Sequence, residues 1–297
     1  MSIVRMAGVH KSFRSTVAVS DLNMALPPGS MTGFLGPNGA GKSTTIRMLM
    51  SIIRPDSGSI EVLGGDALHK KDRIGYLPEE RGLYRRMRVS AFLLYLAKLK
   101  GAGGADAPAR IQRWLERIGL EAAGPMRCQE LSKGMQQKVQ FIAAVIHEPD
   151  LVVLDEPFSG LDPVNADVLR ELIDEMRAEG RTILFSTHVL HQAERMCDRF
   201  VMINKGRKML DASLDEIRER FDPRTIEVEY LDGTDPSGFA GIKRCDPLEL
   251  GGFELVLDDT TDPQQAIGEL TRAAPVRRIE LRRVTLEEVF RRVVRDA

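Results

Sequence analysis

Residues 36–44 read GPNGAGKST, and this stretch restricts the fold of the chain more than any other. Its glycines, lysine and hydroxyl residue follow the spacing G-x-x-x-x-G-K-[ST], which is the pattern of a phosphate-binding loop. The pattern is meaningful between a strand and a helix start, where backbone N–H groups and the helix N-terminus together surround an anion. Residues 31–35 predict that strand and residues 44–51 predict that helix, so the required context is present.

Side chains and backbone would share the binding of a nucleotide in this loop. Lys42 would reach the β- and γ-phosphates, and the Ser43 hydroxyl would bind Mg²⁺. A glycine-rich turn without a ligand is the alternative, and the flanking strand and helix disfavour it. The loop residues expected to contact the nucleotide are Gly36, Asn38, Gly39, Ala40, Gly41, Lys42, Ser43 and Thr44.

Length and charge indicate a folded chain without a strong preference for nucleic acid. The 297 residues are 43% hydrophobic, which is enough for one large or two modest domains. The formal net charge is only -1, which argues against a general nucleic-acid binder. No apolar run approaches the roughly 20 residues that span a bilayer, and the three cysteines lack metal or disulfide spacing. We therefore expect a cytosolic chain that does not cross a membrane itself.

Acidic residues and a histidine follow two apolar runs. Residues 151–154 predict a buried parallel strand, and Asp155 and Glu156 come directly after it, where strand ends meet ligands. Asp155 would hold Mg²⁺, and Glu156 would activate a water molecule. A surface acidic turn is the alternative, which the all-apolar strand disfavours. His188 follows a second such strand at residues 182–186, where a histidine is either structural or contacts the γ-phosphate or attacking water.

Two further positions stay open on residue chemistry alone. Phe13 lies upstream of the loop and would either stack on a purine base or pack as ordinary core, with equal support. Ser132 and Gly134 stand at a predicted helix start, which would hold an anion or form a plain N-cap. Without further context the N-cap is the preferred interpretation.

Composition divides the chain into regions. Residues 87–148 are mostly helical and lie between mixed α/β segments, which indicates an inserted helical subdomain. Residues 221–270 carry twelve acidic against three basic residues, whereas residues 271–297 carry eight arginines against four acidic residues. Strand and helix patterns over residues 221–297 predict a small α+β domain. We interpret its charge asymmetry as internal pairing across a small sheet, and a basic tail that binds nucleic acid is the alternative.

Taken together, these motifs resemble the nucleotide-binding subunit of an ATP-binding cassette (ABC) transporter. The resemblance covers about residues 2–220 and includes LSKGM at residues 131–135, where most members have LSGGQ. It also includes the Walker B pair Asp155 and Glu156, a D-loop at residues 159–162 and the switch histidine His188. The implied fold is α/β, a P-loop NTPase core with an antiparallel β subdomain and a helical insert. The domains would be residues 1–220, with the insert at about 87–148, and the accessory residues 221–297.

The resemblance also implies a mechanism in which two such domains pair head to tail around two ATP molecules. The pair would be a homodimer or pseudo-dimer that drives a separate integral-membrane permease from the inner, cytoplasmic face of the membrane. Lys42, Glu156 and His188 would be catalytic, with Glu156 polarising the attacking water and His188 positioning it. Phe13 would stack on adenine, Ser132 and Gly134 would contact the γ-phosphate held by the partner, and Asp162 of the D-loop would also bind nucleotide.

Two departures from the family pattern concern the nucleotide. Glu79 occupies the loop position that usually carries glutamine, and with Ser43 and Asp155 it completes the expected Mg²⁺ ligands. Its carboxylate binds Mg²⁺ but cannot donate a hydrogen bond as an amide does. Lys133 and Met135 replace glycine and glutamine of the signature, whereas the residues that would touch phosphate are kept. We therefore still expect a working ATPase.

The C-terminal segment points to a subgroup and to a transport direction. The motif TLEEVF at residues 285–290 and the loop YLPEERGLY at residues 76–84 resemble ATPase subunits of bacterial sodium, drug and antibiotic exporters. We expect the permease to dock between residues 79 and 100. The alternative is a soluble ABC ATPase that acts on ribosomes or nucleic acid. It is disfavoured because the chain has a single cassette and no heptad run, and no nucleic-acid partner is expected.

Overall fold

The computed structural model describes residues 2–80, 82–221, 224–248 and 251–295. The chain divides into two compact units, residues 1–213 together with 293–297, and residues 214–292. The division after residue 213 falls shortly before the boundary that the sequence predicted after residue 220. Among the described residues, no helix is both long enough and apolar enough to cross a membrane.

A mostly parallel sheet forms the centre of the first unit. Its strand order is β5-β6-β7-β3-β8-β9, and only β9 runs antiparallel to its neighbour. Strands β3, β6 and β7 are buried along their whole length, as expected for parallel strands covered on both faces. The strands of this unit are β1 (Val4–Phe13), β2 (Thr16–Leu26), β3 (Met31–Leu35), β4 (Ser57–Val62), β5 (Ile74–Leu77), β6 (Leu151–Asp155), β7 (Thr182–Thr187), β8 (Arg199–Asn204) and β9 (Arg207–Ser213).

A second, antiparallel sheet has the order β2-β1-β4. Among the described residues before residue 213, the first unit also contains six α-helices, and one buried core includes Val4 of β1, Phe34 of β3 and Ile46 of the first helix. Its helices are α1 (Lys42–Leu49), α2 (Val89–Leu99), α3 (Ala107–Arg117), α4 (Lys133–Val145), α5 (Pro163–Ala178) and α6 (Leu190–Met196). The α/β core, the antiparallel β subdomain and the helical insert are therefore all present as predicted.

The helical insert begins and ends at neighbouring strands. Strand β5 precedes α2, α3 and α4, and β6, which follows them, pairs with β5 in parallel. The pattern of residues 90–100 predicts a helix with Ser90 as its N-cap, and this N-cap is wrong. That helix begins at Val89 after Arg88, because the extended backbone of Arg88 ends one residue earlier than expected.

The second unit is a small α+β fold with a sheet in the order β11-β12-β10-β13. Ile226 and Leu255 of this sheet pack with Leu270 of the helix over residues 263–273 in a separate core. Strand β11 was not predicted, because its sequence, IKRCDP, carries charges and a proline and lies at the sheet edge. The elements of the second unit are α7 (Leu214–Phe221), β10 (Thr225–Tyr230), β11 (Ile242–Pro247), β12 (Phe253–Leu257), α8 (Pro263–Ala273), β13 (Val276–Arg282) and α9 (Leu286–Arg295).

Candidate functional site

The phosphate-binding loop runs from the end of β3 to the start of α1, and two of its glycines are required by geometry. The backbone of Gly41 is left-handed, with φ of 107°, and a Cβ there would lie 2.4 Å from the carbonyl oxygen of Ala18. A Cβ on Gly36 would lie 2.4 Å from the carbonyl oxygen of Ile203. Any larger residue at either position would collide with backbone, so the loop keeps its shape only with glycine.

Lys42 folds back over this loop and is only 6% exposed. Its Nζ donates to the carbonyl oxygens of Gly36, at 2.6 Å, and Pro37, at 3.2 Å. Burial lowers the pKa of Lys42, and the negative charges of Glu156 and Asp155 oppose that shift. The loop therefore holds a cationic head among carboxylates, next to backbone that is shaped to approach an anion.

A cleft of about 350 Å³ opens at this loop. It lies within the size range of small-molecule sites, which is roughly 300–1,000 Å³. The chain brings distant segments together around it, since strand β2, the phosphate loop, the loop after β5 and the end of β6 all contribute. The lining residues are Thr16, Val17, Ala18, Asn38, Gly39, Gly41, Lys42, Ser43, Thr44, Glu79, Asp155 and Glu156.

Asp155 ends strand β6 at the floor of the cleft. It is 2% exposed, and its Oδ1 is buried without a hydrogen-bond partner among the described residues. Burial raises the pKa of Asp155, and the nearby carboxylates of Glu79 and Glu156 act in the same direction. An unpartnered buried acceptor is unfavourable in isolation, so this oxygen is suited to bind a cation.

Glu156 accepts three hydrogen bonds from Thr187, the last residue of β7, and from His188, which follows it. Thr187 Oγ1 donates to Glu156 Oε2 at 3.0 Å, and His188 donates to Oε1 through its backbone N at 2.9 Å and Nδ1 at 2.6 Å. An ionised carboxylate only accepts, so the Nδ1 of His188 carries a proton. The backbone of Glu156 has φ of 50°, a conformation that is uncommon for residues other than glycine. Such strain concentrates at functional sites.

Phe13 does not line the cleft. It is 49% exposed at the end of β1, pairs with Thr16, and has Lys11 Nζ 5.4 Å from its ring centroid. The apolar side chain at the cleft itself is Val17, which is 56% exposed. The hairpin that carries Phe13 therefore reaches the cleft, although the aromatic ring itself lies outside the lining.

Three further predicted residues lie outside the cleft at helix starts. Ser132 is the N-cap of α4 and accepts a hydrogen bond from Met135 N at 3.3 Å. Gly134 lies against the D-loop, where an added Cβ would be 3.5 Å from Leu161. Asp162 is the N-cap of α5, and hydrogen bonds from the backbone and side chain of Asn165 lower the pKa of this carboxyl.

Two residues were missed by sequence reasoning. Thr187 is 1% exposed and binds the carboxylate of Glu156, yet it precedes the histidine in an otherwise unremarkable strand end. Gln137 of α4 is 1% exposed, and its Nε2 donates to the carbonyl oxygen of Pro157 at 3.0 Å. The available signal was a polar residue on the inward face of each element, since buried polar side chains need a partner.

The sequence of this chain is similar to those of known proteins. A family model described as ABC transporter matches residues 19–159. YhaQ, an uncharacterized ABC transporter ATP-binding protein of Bacillus subtilis (strain 168), is 37% identical over 284 residues, which cover 95% of each chain. The chain belongs to the ABC transporter ATP-binding proteins. ATP-binding domains of this family are ATPases, so this ABC protein is a nucleotide-binding ATPase subunit.

Two further likenesses extend over most of this ABC protein. The Nod factor export ATP-binding protein I of Rhizobium sp. (strain N33) is 35% identical, covering 98% of this chain and 96% of its own length. A solved ATP-binding subunit of an ABC transporter shares 33% identity with a TM-score of 0.70, covering 74% of this chain and 93% of its own. A model for the C-terminal domain of DrrA1-3-like ATP-binding proteins matches residues 213–294, which confirms the subgroup resemblance.

Proposed function

We propose that the chain is the ATP-hydrolysing motor of an exporter and drives a separate permease in the membrane. The observation that carries this proposal is the cleft in which Lys42, Ser43, Asp155 and Glu156 meet. Near full-length similarity to a Nod factor export ATP-binding protein supports the export direction. The ATPase would lie on the cytoplasmic face of the membrane, held there by the permease.

The cleft residues fit Mg²⁺. Ser43 offers a hydroxyl, and Asp155 offers the buried oxygen that lacks a partner. Mg²⁺ is usually held by one or two carboxylates together with substrate phosphates and waters, which two such ligands satisfy. Glu79 lines the same cleft and would be the third ligand. When bound, Mg²⁺ would neutralise charge on the phosphates during transfer.

The chain's own groups have distinct roles in hydrolysis. Lys42 would break its hydrogen bonds to backbone carbonyl oxygens and contact the β- and γ-phosphates. Because its side chain is buried, water would be excluded from competing for its ammonium group. Glu156 would accept a proton from the attacking water. His188 forms a hydrogen bond with that carboxylate, and its side chain is 52% exposed. It would therefore contact the γ-phosphate and position the attacking water. Thr187 would hold Glu156 in its strained conformation.

Two copies are needed to complete each site. Ser132 and Gly134 do not line the cleft that holds Lys42, and Ser132 is exposed at the start of α4. A head-to-tail partner would supply these groups to the γ-phosphate, together with Asp162 of the D-loop. The oxygen of Ser132 and the N-terminus of α4 suit an anion at that position.

The permease would dock on a groove beside the helical insert. Exposed Ile52 lines it, and the exposed ring of Tyr84 lies 5.9 Å from that of the groove residue Phe92. The groove has a volume of about 380 Å³ and includes Phe92 and Leu96 of α2. Exposed apolar surface of this kind marks interaction sites. Arg81, within the neighbouring loop, lies outside the described residues.

The alternative function, a family member acting on ribosomes or nucleic acid, has no support among these relatives. Transporter ATP-binding proteins match the chain over nearly its full length. The opposite charges of the C-terminal region also pair with each other, as in Arg277 with Glu229 at 2.8 Å and Arg278 with Glu227 at 2.6 Å. Four of the eight arginines of residues 271–297 pair with a glutamate in this way, namely Arg277, Arg278, Arg282 and Arg291.

Glu156→Gln tests the proposal, because it keeps the shape of the side chain and removes the base. We expect unchanged ATP binding, hydrolysis reduced at least a hundredfold, and an ATP-dependent dimer in size-exclusion chromatography. Glu80→Gln is the matched control, since that carboxylate is exposed outside the cleft, and it should behave as wild type. Hydrolysis by Glu156→Gln at a near wild-type rate would refute the assignment.

A further inference from the structure

A second cleft lies within the C-terminal α+β domain. Its volume is about 630 Å³, which is in the range of pockets that bind small molecules. Val256 of β12 and the buried Val284 give it an apolar floor beside the buried Thr225. The charged lining residues are Lys243, Arg244, Glu254, Arg282, Glu288 and Arg292.

The charges of this cleft do not balance. Both carboxylates are already bound to the same guanidinium, since Arg282 pairs with Glu254 and, at 2.5 Å, with Glu288. Arg244 contacts Glu254 at 3.4 Å and Asp246 at 2.6 Å. The acidic groups at the cleft are thus committed to guanidinium groups of the sheet.

Two cations are left over at the cleft. Within the described part of the chain, neither the Lys243 side chain nor the Arg292 side chain forms an ion pair or a hydrogen bond. Both side chains are exposed, one on the edge strand β11 and the other on α9. Elsewhere on the sheet, Arg277 and Arg278 each pair with a glutamate, whereas Lys243 and Arg292 at the cleft pair with none of the described carboxylates.

We propose that this cleft binds a phosphate ester that carries an apolar group. Lys243 and Arg292 would bind the phosphate oxygens, because charge-assisted hydrogen bonds from ammonium and guanidinium groups to phosphate are short and strong. The apolar portion would rest on Val256 and Val284. The site is independent of the ATPase site, and the ligand is either a free ester or the headgroup of an anionic lipid, which share this chemistry.

Binding of two probes by the full-length chain tests the proposal. The chain carries Lys42→Ala to silence phosphate binding at the nucleotide loop. Calorimetry measures n-butyl phosphate, a soluble phosphate ester with an apolar group, and co-sedimentation measures vesicles of phosphatidylglycerol and phosphatidylcholine against vesicles of phosphatidylcholine alone. The test variant adds Lys243→Glu and Arg292→Glu, whereas the charge-matched control adds Arg220→Glu and Arg272→Glu, which lie outside the cleft.

We expect the test variant to bind at least tenfold more weakly and the control to retain affinity within about twofold, since only the former removes phosphate ligands. Binding of the soluble ester identifies a free ligand, and binding of anionic vesicles alone identifies a lipid headgroup. Both results support the site. Equal binding by the test and control variants, or no binding of either probe by the parent chain, overturns it. Circular dichroism of all variants separates lost binding from lost folding.

Discussion

Thr187→Val is the sharpest test of how the chain positions its general base. Thr187 Oγ1 donates to Glu156 Oε2 at 3.0 Å and accepts from Val189 N at 3.1 Å. Valine fills nearly the same space but offers neither a donor nor an acceptor. Glu156 and Val189 therefore each lose a hydrogen bond, because position 187 is only 1% exposed and water has little access to replace it.

The expected loss of stability follows from the two hydrogen bonds of Thr187. A hydrogen bond to a charged group contributes about 1.5–3 kcal/mol and an ordinary one about 1 kcal/mol. Glu156 faces the cleft, where water replaces part of the loss, so we expect the free energy of unfolding to fall by about 2–3 kcal/mol. Hydrolysis should fall about tenfold in kcat, because misplacing a reacting group is costly, while KM for ATP stays nearly unchanged.

Urea unfolding and steady-state ATPase assays measure both effects. Trp114 is the single tryptophan and belongs to the first unit, so its fluorescence reports unfolding of the relevant part of the chain. Thr187→Ser is the matched control, since it keeps the hydroxyl and loses only a methyl group. It should retain kcat and lose about 1 kcal/mol of stability. If valine and serine variants have the same kcat, the hydroxyl does not position Glu156 and the reasoning fails.

Three further predictions concern the loop, a buried histidine and the docking groove. Gly41→Ala, which clashes with backbone, should lower the unfolding free energy by at least about 2 kcal/mol, against about 1 kcal/mol for Gly39→Ala, whose Cβ meets open space. Burial lowers the pKa of His147 to about 4, so as the pH falls this residue takes up a proton in the unfolded chain before it does so in the folded chain. The unfolding free energy should therefore fall between about pH 6.5 and pH 4, by at most about 1.4 kcal/mol per pH unit. In urea titrations His147→Gln should flatten this slope, and an unchanged slope would contradict the assignment. Arg85 and Arg86 are exposed in the loop before α2, within residues 79–100, where the permease is expected to dock. Arg85→Glu with Arg86→Glu should abolish co-sedimentation with permease-containing membranes and spare the ATPase rate of the isolated subunit. Undiminished membrane association would argue against docking there.

Much of the fold was predictable because its signals are local. The glycine spacing at residues 36–44 and the apolar runs of β3, β6 and β7 each determine an element without reference to the rest of the chain. Strand β11 was missed for the opposite reason, since its charges are tolerated only because it lies at a sheet edge. The end of α2 at Leu99 lies one residue before the predicted end at Lys100, whereas its start depended on the backbone of Arg88.

The residues that form the site could be predicted from the sequence, but the hydrogen bonds between them could not. The cleft contains Lys42, Asp155 and Glu156, as their positions at loop and strand ends indicated. The hydrogen bond from Thr187 to Glu156 joins residues 31 positions apart and depends on strand register, which no local pattern encodes. The position of Phe13 beside the cleft likewise depends on how the hairpin turns.

The central claim is that each ATPase site needs two copies of the chain, and a mixing experiment tests it most directly. One chain carries Lys42→Ala and the other carries Ser132→Arg, and each alone should be inactive. In a head-to-tail pair, the intact Lys42 of one copy meets the intact Ser132 of the other. An equimolar mixture should recover about a quarter of wild-type hydrolysis, because half of the pairs are mixed and each has one intact site of two. A mixture that stays as inactive as its components would contradict the account.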